Sequence, residues 1–548
     1  MKTKIVYSFI LIFLCINFVN AQDKMPVLLQ NYQADKGSLE RFYVIEASPE
    51  RRDRFMDFNK QYLADLKQMP FNKLSQSDKV DYVLFKNQLE SIITDLTNES
   101  KQNEIANQWI SFGSVIYDQE KSRRRGASID GQKTALSWNQ LNKDLQVKIK
   151  ELQQVNSMPK STARYIAYTI AGYKHALKSI NEFYKGYDPD YSWWTANIFK
   201  KLDSGLSVYN EVANTRQDLS GTQKKDASGI VGYPIGAEAL SQSLKNAFIP
   251  YNAEELIKIA EKEFAWCDKE MLKASREMGF GDNWKAALEK VKNTYVPVGK
   301  QPEMIMDLYN QSIDFIKKND MITIPPLAEE TWRMVMMSPQ QQLVSPFFLG
   351  GETLRISYPT DEMSDDAKLM SMRGNNPHFS RATVHHELIA GHHLEGFMND
   401  RYKAYRNFDT PFWTEGWSLY WEFILWDKGF PRNAEDRVGM LFWRMHRCAR
   451  IIFSLNYHLG NWTPQECIDF LVDRVGHERA NAEGEVRRSF TGGYGPLYQL
   501  AYMMGALQIR SLKEEMVDNG KMTLKQFNDA VLHENNMPIE MLRAALKN

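Results

Sequence analysis

Cysteine is rare in this sequence of 548 residues, which contains only four. Beyond the first 21 residues three remain, Cys267, Cys448 and Cys467, and no pair has the Cys-x-x-Cys spacing of a thiolate metal site. A disulfide between Cys448 and Cys467 is one alternative, but an odd number of scattered cysteines does not indicate a disulfide framework. We therefore expect three buried thiols that pack as small apolar side chains.

The sequence also lacks an excess of charge of either sign, with 68 basic and 68 acidic side chains. Nucleic-acid binding needs a basic face that neutralises phosphates, so this balance argues against a nucleic-acid partner. After residue 19 no segment is apolar enough to cross a membrane. Hydrophobic residues still make up 43% of the chain, which is enough for a large buried core.

The first residues have the pattern of an export signal. Two lysines precede an apolar run at Ile5–Val19, and short residues follow up to Ala21. The run is shorter than the ~20 residues of a membrane-spanning helix, and Leu14 stands before Cys15 where a lipoprotein signal has a small residue. We predict that residues 1–21 are a cleaved signal peptide, with an uncleaved membrane anchor as the alternative. The mature protein would then be periplasmic or secreted, without a stable membrane anchor.

Helix signals dominate the rest of the chain. Capping residues and three- to four-residue apolar spacing predict helices at residues 252–279, 410–429 and 463–476. Strand-like alternation is scarce, and the best candidates are residues 321–326 and 354–359. The sequence therefore predicts a mainly α fold with minor β structure.

Two regions differ in composition, although no linker rich in proline, glycine or serine separates them. Residues 22 to about 300 are polar and rich in lysine, whereas residues from about 300 to 548 hold nine of the ten histidines. We interpret residues 22–548 as one domain with two helical lobes, of which the second carries the chemistry. A central cleft between the lobes would be the expected place for a ligand.

Four of the ten histidines fall within residues 385–393, together with one glutamate. In the zinc-hydrolase motif H-E-x-x-H, two histidines one helical turn apart reach the same metal. Here Ala390 occupies the position four after His386, and His392 follows six residues on, about 600° around a regular helix. Either the stretch is no metal site or the helix is deformed, and Gly391 is the residue that best tolerates a deformation.

A third ligand is needed, because a catalytic zinc usually takes three from the protein. Glu415 and Glu422 are the only charged residues in the mostly apolar stretch 414–422, and their spacing places them on nearly the same helix face. A buried carboxylate is costly without a positive partner. A metal held by His386 and His392 would be such a partner for Glu415, and Glu422 would orient a ligand imidazole. The alternative is that each glutamate pairs with an arginine or lysine.

Several of these blocks resemble a known family. Residues 386–395 resemble the H-E-x-x-P-G-H-H-x-Q signature of the bacterial family named domain of unknown function 885, residues 415–420 its E-G-W-A-L-Y block, and residues 233–238 its P-x-G-E block. The patterns E-x-R-R-Y and P-x-Q-x-x-Y-x-x-G are matched by Glu485, Arg487, Arg488, Pro496, Gln499, Tyr502 and Gly505. The sequence departs from the signature at Ala390, where the family usually has proline, and at Glu395, where it usually has glutamine.

That family is regarded as related to zinc peptidases of the gluzincin type, so the resemblance implies a helical, two-lobed zinc-metallopeptidase-like fold. It also implies one Zn²⁺ ion with Glu415 as the third ligand beside His386 and His392, and with Glu387 as the general base. Chemistry agrees, because zinc acidifies water and a neighbouring carboxylate can take the proton. Two imidazoles and one carboxylate suit zinc better than calcium or magnesium.

The resemblance also suggests which side chains assist catalysis. Tyr494, Tyr498 and Tyr502 are candidates for stabilising an oxyanion, and Tyr502 is preferred because it matches the family pattern. Arg487 and Arg488 are adjacent and face different directions, so one is a candidate clamp for a substrate carboxylate and the other a brace of the fold. We take Arg487 as the clamp.

The neighbouring histidines remain alternatives to His392. His393 would share a helix face with His386, but the gap of about 10 Å along the axis is long for one metal. His385 directly precedes His386 and is not excluded by its position. We expect ordinary core or helix positions for His446, His458, His477 and His533.

We therefore predict an exported zinc-dependent hydrolase, in the first place a metallopeptidase that cleaves short peptides in a confined cleft. Alternatively the substrate is a non-peptide amide or ester, because the same metal and Glu387 would serve any acyl transfer. A third reading is a non-catalytic exported binding protein with a peptidase-like fold, against which the presence of Glu387 argues. The expected partner is a short peptide or another small acyl substrate.

Overall fold

The computed structural model describes residues 24–218, 226–342, 347–491 and 493–547. The predicted signal peptide at residues 1–21 lies outside these residues. The described chain is mainly α-helical with one pair of short strands, as the sequence predicted. Within the described ranges, no helix is both long and apolar enough to span a membrane.

Contacts between residues group the chain into two compact units, the first up to residue 221 and the second from residue 222. Residues 226–300, which composition alone grouped with the N-terminal lobe, belong to the second unit. The described helices of the first unit are α1 (Lys24–Phe42), α2 (Pro49–Lys67), α3 (Gln76–Ile110), α4 (Ser114–Arg123), α5 (Gly131–Gln153), α6 (Lys160–Tyr184) and α7 (Pro189–Thr215).

The core of the first unit forms where α7 packs against both α5 and α6. α5 begins after Asp130, whose side chain accepts a hydrogen bond from the backbone N–H of Lys133. Its apolar residues recur every three or four positions, so that Trp138, Leu145 and Leu152 lie on one fully buried face.

The second unit contains the histidine-rich stretch. Its described elements are α8 (Gly236–Asn246), α9 (Ala253–Glu277), α10 (Trp284–Lys292), α11 (Gln301–Lys318), α12 (Pro326–Thr331), β1 (Arg333–Met336), α13 (Pro339–Gln342), β2 (Thr353–Ile356), α14 (Asp365–Gly374), α15 (Pro377–Glu387), α16 (His392–Asn399), α17 (Pro411–Asp427), α18 (Ala434–His458), α19 (Pro464–Phe470), α20 (Arg479–Thr491), α21 (Tyr498–Lys513), α22 (Leu524–Glu534) and α23 (Ile539–Leu546). Single π-helical turns follow α19 and α21.

Helix α18 runs through the core of the second unit, where 22 of its 25 residues are buried. It packs against α9, α15 and α21, and α17 lies along α21. The contact between α17 and α21 is close because two glycines face each other. A Cβ at Gly416 would lie 2.6 Å from the Cα of Gly505, so neither position has room for a side chain.

The three predicted helices are confirmed. α9 begins with a capping box, in which Asn252 and Glu255 satisfy each other's backbone N–H groups. α17 begins with Pro411 at its first turn, and α19 with its π turn ends at Gly476, which has a φ of 83°. The three cysteines of the described chain are free and buried, as expected.

The strand predictions succeeded once. β2 lies at the start of the predicted segment 354–359 and pairs in parallel with β1. The predicted strand at residues 321–326 is wrong, because Pro325 and Pro326 start helix α12 there and proline has no N–H for a sheet ladder. β1 was not predicted, since it is only four residues long and mostly exposed and carries little alternation.

Candidate metal centre

A break between two helices shapes the histidine-rich stretch. α15 ends at Glu387 and α16 begins at His392, where the sequence analysis expected one deformed helix. The N–H of Gly391 donates to the carbonyl oxygen of His385 at 3.0 Å, and a Cβ on Gly391 would lie 1.8 Å from the carbonyl oxygen of His386. Only glycine fits so close to a backbone. Gly391 therefore permits the bend, as the sequence suggested.

The bend brings His386 and His392 together with Glu415 of α17. One ligand atom from each residue lies within 4.8 Å of the other two. The Nε2 atoms of His386 and His392 lie 3.6 and 3.3 Å from Oε2 of Glu415. Ligands about 2.1 Å from a tetrahedral zinc are separated by about 3.4 Å, so the donor types and these two spacings fit zinc.

The polar surroundings also fit a cation. His386 and Glu415 are buried, whereas the side chain of His392 keeps 16% of its surface exposed. Within the described chain, Oε2 of Glu415 has no hydrogen-bond partner although it is buried. A buried carboxylate oxygen without a donor is costly, and a metal ion would satisfy it.

Helix α17 supplies the groups that orient both imidazoles. Oε1 of Glu422 lies 2.8 Å from Nδ1 of His386, as the sequence analysis anticipated, and Oγ of Ser418 lies 3.2 Å from Nδ1 of His392. Contacts of this kind at Nδ1 leave Nε2 free to bind a metal. Glu415, Ser418 and Glu422 follow one face of α17 at steps of three and four. The sequence analysis missed Ser418, although that spacing was visible.

The charges of the three groups are strongly coupled. Burial favours neutral side chains, yet the attraction between Glu415 and the two imidazoles outweighs it. The pKa of Glu415 therefore lies well below its usual range, and the pKa values of His386 and His392 lie above theirs. The pocket thus favours a carboxylate facing positive charge.

Glu387, the predicted general base, lies beside this cluster. Burial raises the pKa of its carboxyl, while His386 and His392 oppose that shift. The backbone of Gly350 approaches so closely that a Cβ there would lie 2.3 Å from Oε2 of Glu387. The N–H of Gly351 donates to the carbonyl oxygen of Glu387 at 3.1 Å. A raised pKa moves a carboxylate toward the range in which it accepts protons well at neutral pH.

The three candidate tyrosines have different surroundings. The hydroxyl of Tyr498 donates to Oε1 of Glu415 at 2.5 Å, so it holds the carboxylate. The ring of Tyr494 packs on that of Tyr498, with 4.2 Å between centroids. Tyr502 lies with its ring nearly parallel to that of His386, 6.3 Å away and 15° from parallel. Tyr502 therefore lies beside the candidate ligand His386, and its hydroxyl does not hold Glu415 as that of Tyr498 does.

The two adjacent arginines face different directions, as predicted. Arg487 is exposed and lines a cavity of about 500 Å³ together with Asn481 and Glu483. Nε of Arg488 lies 3.1 Å from Oε2 of the buried Glu485. Arg488, and not Arg487, therefore lies on the same face of α20 as the buried Glu485.

Two arginines that the sequence analysis did not consider lie nearer the cluster. The guanidinium carbons of Arg447 and Arg450 on α18 are 4.8 and 4.4 Å from the ring centroid of Tyr502. No spacing in the sequence could show this, because α18 and α21 meet only through tertiary packing. Arg447 also lies 3.7 Å from Oε1 of Glu422, the group that orients His386.

The remaining histidines of the stretch lie away from the cluster. His385 packs edge-on against Phe430, and burial lowers its pKa to about 4. Nε2 of His393 lies 2.7 Å from the carbonyl oxygen of Ala328. His392 is therefore the second imidazole of the group. The residues expected in core positions and found buried are His446, His458 and His477.

Comparison with known proteins places this architecture in a family. The family model described as "Bacterial protein of unknown function (DUF885)" matches residues 43–546. The chain belongs to the DUF885 family. Among proteins with curated functions, none matches it.

Two solved structures share the fold of this DUF885 protein. A "putative lipoprotein of unknown function" from Shewanella oneidensis is 16% identical, with a TM-score of 0.67, and the match covers 95% of this chain and 99% of that one. A "putative lipoprotein" from Colwellia psychrerythraea is 15% identical, with a TM-score of 0.59, and the match covers 95% of this chain and 98% of that one.

The two residues that depart from the DUF885 signature, Ala390 and Glu395, both lie in contact with residues of the candidate metal centre or its helices. The carbonyl oxygen of Ala390, which stands at the usual proline, accepts a hydrogen bond from Nε1 of Trp417 at 2.7 Å. Glu395, which stands at the usual glutamine, is buried, and its Oε2 lies 3.7 Å from Nδ1 of His392. The extra acid thus lies beside Nδ1 of a candidate ligand, whose Nε2 is the atom that lies near Glu415.

Proposed function

We propose that this DUF885 protein is an exported zinc-dependent hydrolase, a metallopeptidase of gluzincin-like type that cleaves short peptides. The observation that carries the proposal is the meeting of His386, His392 and Glu415 within 4.8 Å, with Glu387 beside them. Three protein ligands that leave one position open are typical of catalytic zinc. A purely structural zinc site is usually closed by a fourth protein ligand, and it has no use for a general base such as Glu387.

The proposed chemistry assigns one task to each side chain. Zinc, when bound, supplies Lewis acidity and makes water more acidic. Glu387 takes the proton of the attacking water and passes it to the leaving amine. Tyr502 donates a hydrogen bond to the oxyanion that forms at the carbonyl carbon. Glu422 and Ser418 keep the two imidazoles in place.

The role that we propose for Arg487 is substrate binding. Its exposed guanidinium lines the cavity of about 500 Å³, a volume typical of small-ligand pockets. The lining of this cavity does not include His386, His392, Glu415, Glu387 or Tyr502, so a substrate carboxylate held there would lie apart from the metal cluster. We propose that it binds a carboxylate of the peptide there, because guanidinium and carboxylate form strong bidentate pairs. The same residues would also serve a non-peptide amide or ester, so a panel of short peptides, amides and esters tests the substrate class.

Export is proposed on two grounds. Residues 1–21 have the pattern of a signal peptide, and two proteins of the same fold are described as lipoproteins. The prediction for this chain differs from theirs, because Leu14 before Cys15 does not fit a lipidation signal. Fractionation of the producing cell followed by N-terminal sequencing tests both points, and an N-terminus at Gln22 is expected.

The variant Glu387→Gln tests the mechanism. It keeps the shape of the side chain but removes the base, so we expect a full zinc content and a loss of turnover of 10²-fold or more, by analogy with the usual contribution of acid–base groups, ~10²–10⁴. Glu303→Gln, the same change on an exposed residue of α11, is the matched control. Unchanged turnover in Glu387→Gln would contradict the role of Glu387 as general base. Absence of metal-dependent hydrolysis by the wild-type protein would contradict the proposed function as a hydrolase.

A further inference from the structure

Tyr502 is contacted by charged and aromatic groups at once. Its ring is nearly parallel to the imidazole of His386, and the guanidinium carbons of Arg447 and Arg450 lie within 4.8 Å of its centroid. Such distances are those of cation–π contacts, which are strongest where water is excluded. Only 5% and 3% of the surfaces of Arg447 and Arg450 are exposed.

Each arginine lies near a buried carboxylate, and that of Arg450 holds it by two hydrogen bonds. Nε and Nη2 of Arg450 donate to Oε1 and Oε2 of Glu485 at 2.7 and 3.1 Å, which is a two-point contact that sets the plane of the guanidinium. Nη2 of Arg447 lies 3.7 Å from Oε1 of Glu422. The same oxygen of Glu422 lies 2.8 Å from Nδ1 of His386. Helix α18 thus connects the group that orients a candidate ligand with the ring of Tyr502.

Stability alone does not account for this concentration of positive charge. Arg450 and Arg488 share one carboxylate, Glu485, and Arg447 adds a third guanidinium near the same tyrosine. Burying like charges together is costly, and apolar residues of similar size would pack at lower cost. An arrangement of this kind is expected where the position of one side chain matters.

We propose that Arg447 and Arg450 are positioning residues for Tyr502. They hold its ring parallel to that of His386, so that its hydroxyl keeps one place beside the cluster of His386, His392 and Glu415. This inference rests on the proposed function, because only catalysis gives the hydroxyl a task. A positioned donor lowers the barrier without tightening substrate binding, so the effect falls on kcat and not on KM.

The conservative variant Arg450→Lys tests this inference, because it keeps the charge but loses the two-point contact with Glu485. Arg444→Lys is the matched control on the same helix. Arg444 is 6% exposed, pairs with Glu263 at 2.8 Å and packs over Trp266 and Phe423 instead of Tyr502. We expect kcat to fall about 10- to 100-fold in Arg450→Lys and less than about threefold in the control, with KM and zinc content unchanged in both.

A double-variant cycle separates positioning from general support of the fold. Tyr502→Phe alone is expected to lower kcat by about 10²-fold. If Arg450 acts through Tyr502, the kcat of the double variant is less than about threefold below that of Tyr502→Phe alone. Residues that act independently would instead multiply their losses. Losses that multiply fully would overturn the proposal.

A readout without turnover keeps this test distinct from that of the proposed function. In a crystal structure of metal-free Arg450→Lys we expect the ring of Tyr502 to leave its parallel position beside His386, whereas the control keeps it. An unchanged ring in Arg450→Lys would overturn positioning even if the enzyme is active. If Arg450→Lys does not fold, Glu485→Gln releases the same guanidinium with less change in shape, and the same two outcomes decide. Absence of hydrolysis by the wild-type protein would instead contradict the proposed function and leave the position of the Tyr502 ring to be decided by the crystal structures.

Discussion

The hydroxyl of Tyr498 is expected to strengthen metal binding through Glu415. It donates to Oε1 of that carboxylate at 2.5 Å and thereby leaves Oε2 turned toward the two imidazoles. Burial raises the pKa of Tyr498, and the charge of Glu415 raises it further, so the hydroxyl keeps its proton at neutral pH and donates throughout. Tyr498→Phe removes this donor and keeps the ring.

The expected magnitude follows from the kind of hydrogen bond that is lost. A hydrogen bond to a charged group contributes about 1.5–3 kcal/mol, and removal of a partner that orients a metal ligand lowers metal affinity about 10- to 100-fold. We therefore expect the Kd for zinc to rise by that factor, which corresponds to about 1.4–2.7 kcal/mol. Without the donor, the carboxylate of Glu415 can rotate, and binding zinc must first restore its orientation.

Competition with a chromophoric zinc chelator at pH 7 measures this change. Tyr494→Phe is the matched control, because its ring packs on that of Tyr498 while 36% of its surface is exposed. We expect the control to stay within about twofold of wild type, as surface changes usually do. Equal zinc affinity in Tyr498→Phe and wild type would refute the reasoning, and so would an equal loss in both variants, because the loss would then not depend on the hydrogen bond to Glu415.

Two further predictions concern a glycine and a buried histidine. Gly350→Ala places a Cβ 2.3 Å from Oε2 of Glu387 and 2.6 Å from its Cα, so we expect kcat to fall at least about tenfold with zinc content unchanged; wild-type kcat would contradict the close approach. Burial lowers the pKa of His477 to about 3, so its imidazole binds a proton more tightly in the unfolded protein than in the folded one. The stability that this neutral imidazole contributes is present above pH 6.5 and is lost as the pH falls toward 3, by about 2 kcal/mol between pH 7 and pH 5. Denaturant unfolding at both pH values should show this loss in wild type and a smaller one in His477→Gln, and equal losses would contradict it.

The sequence was informative wherever a local pattern decides the structure. Helix starts at Asn252, Pro411 and Pro464 depend on neighbouring residues, and the structure has helices there. The expectation that Glu422 has a polar partner also followed from a local argument, because a glutamate in an apolar helix needs one, and the structure supplies His386. In each case the signal lay within a few turns of one helix.

What the sequence could not show depends on how helices pack. Arg450 and Tyr502 are far apart in the chain, and only the packing of α18 against α21 brings them together. The choice between Arg487 and Arg488 depends on the rotation of α20 about its axis, which the spacing of two adjacent residues leaves open. For the same reason the lining of the cavity by Arg487 became visible only in the structure.

The contact between α17 and α21 determines how well the centre can be ordered. Gly416 follows Glu415 directly, and a Cβ on Gly505 would lie 2.0 Å from the carbonyl oxygen of Phe412. Because the two backbones touch there, the hydroxyl of Tyr498 reaches Glu415 and the ring of Tyr502 reaches the imidazole stacked beside it. A side chain at either glycine would clash with the backbone of the other helix and push the two helices apart, which would lengthen the hydrogen bond between Tyr498 and Glu415. The block around Glu415 therefore combines a candidate ligand with the glycine that lets its partner helix approach.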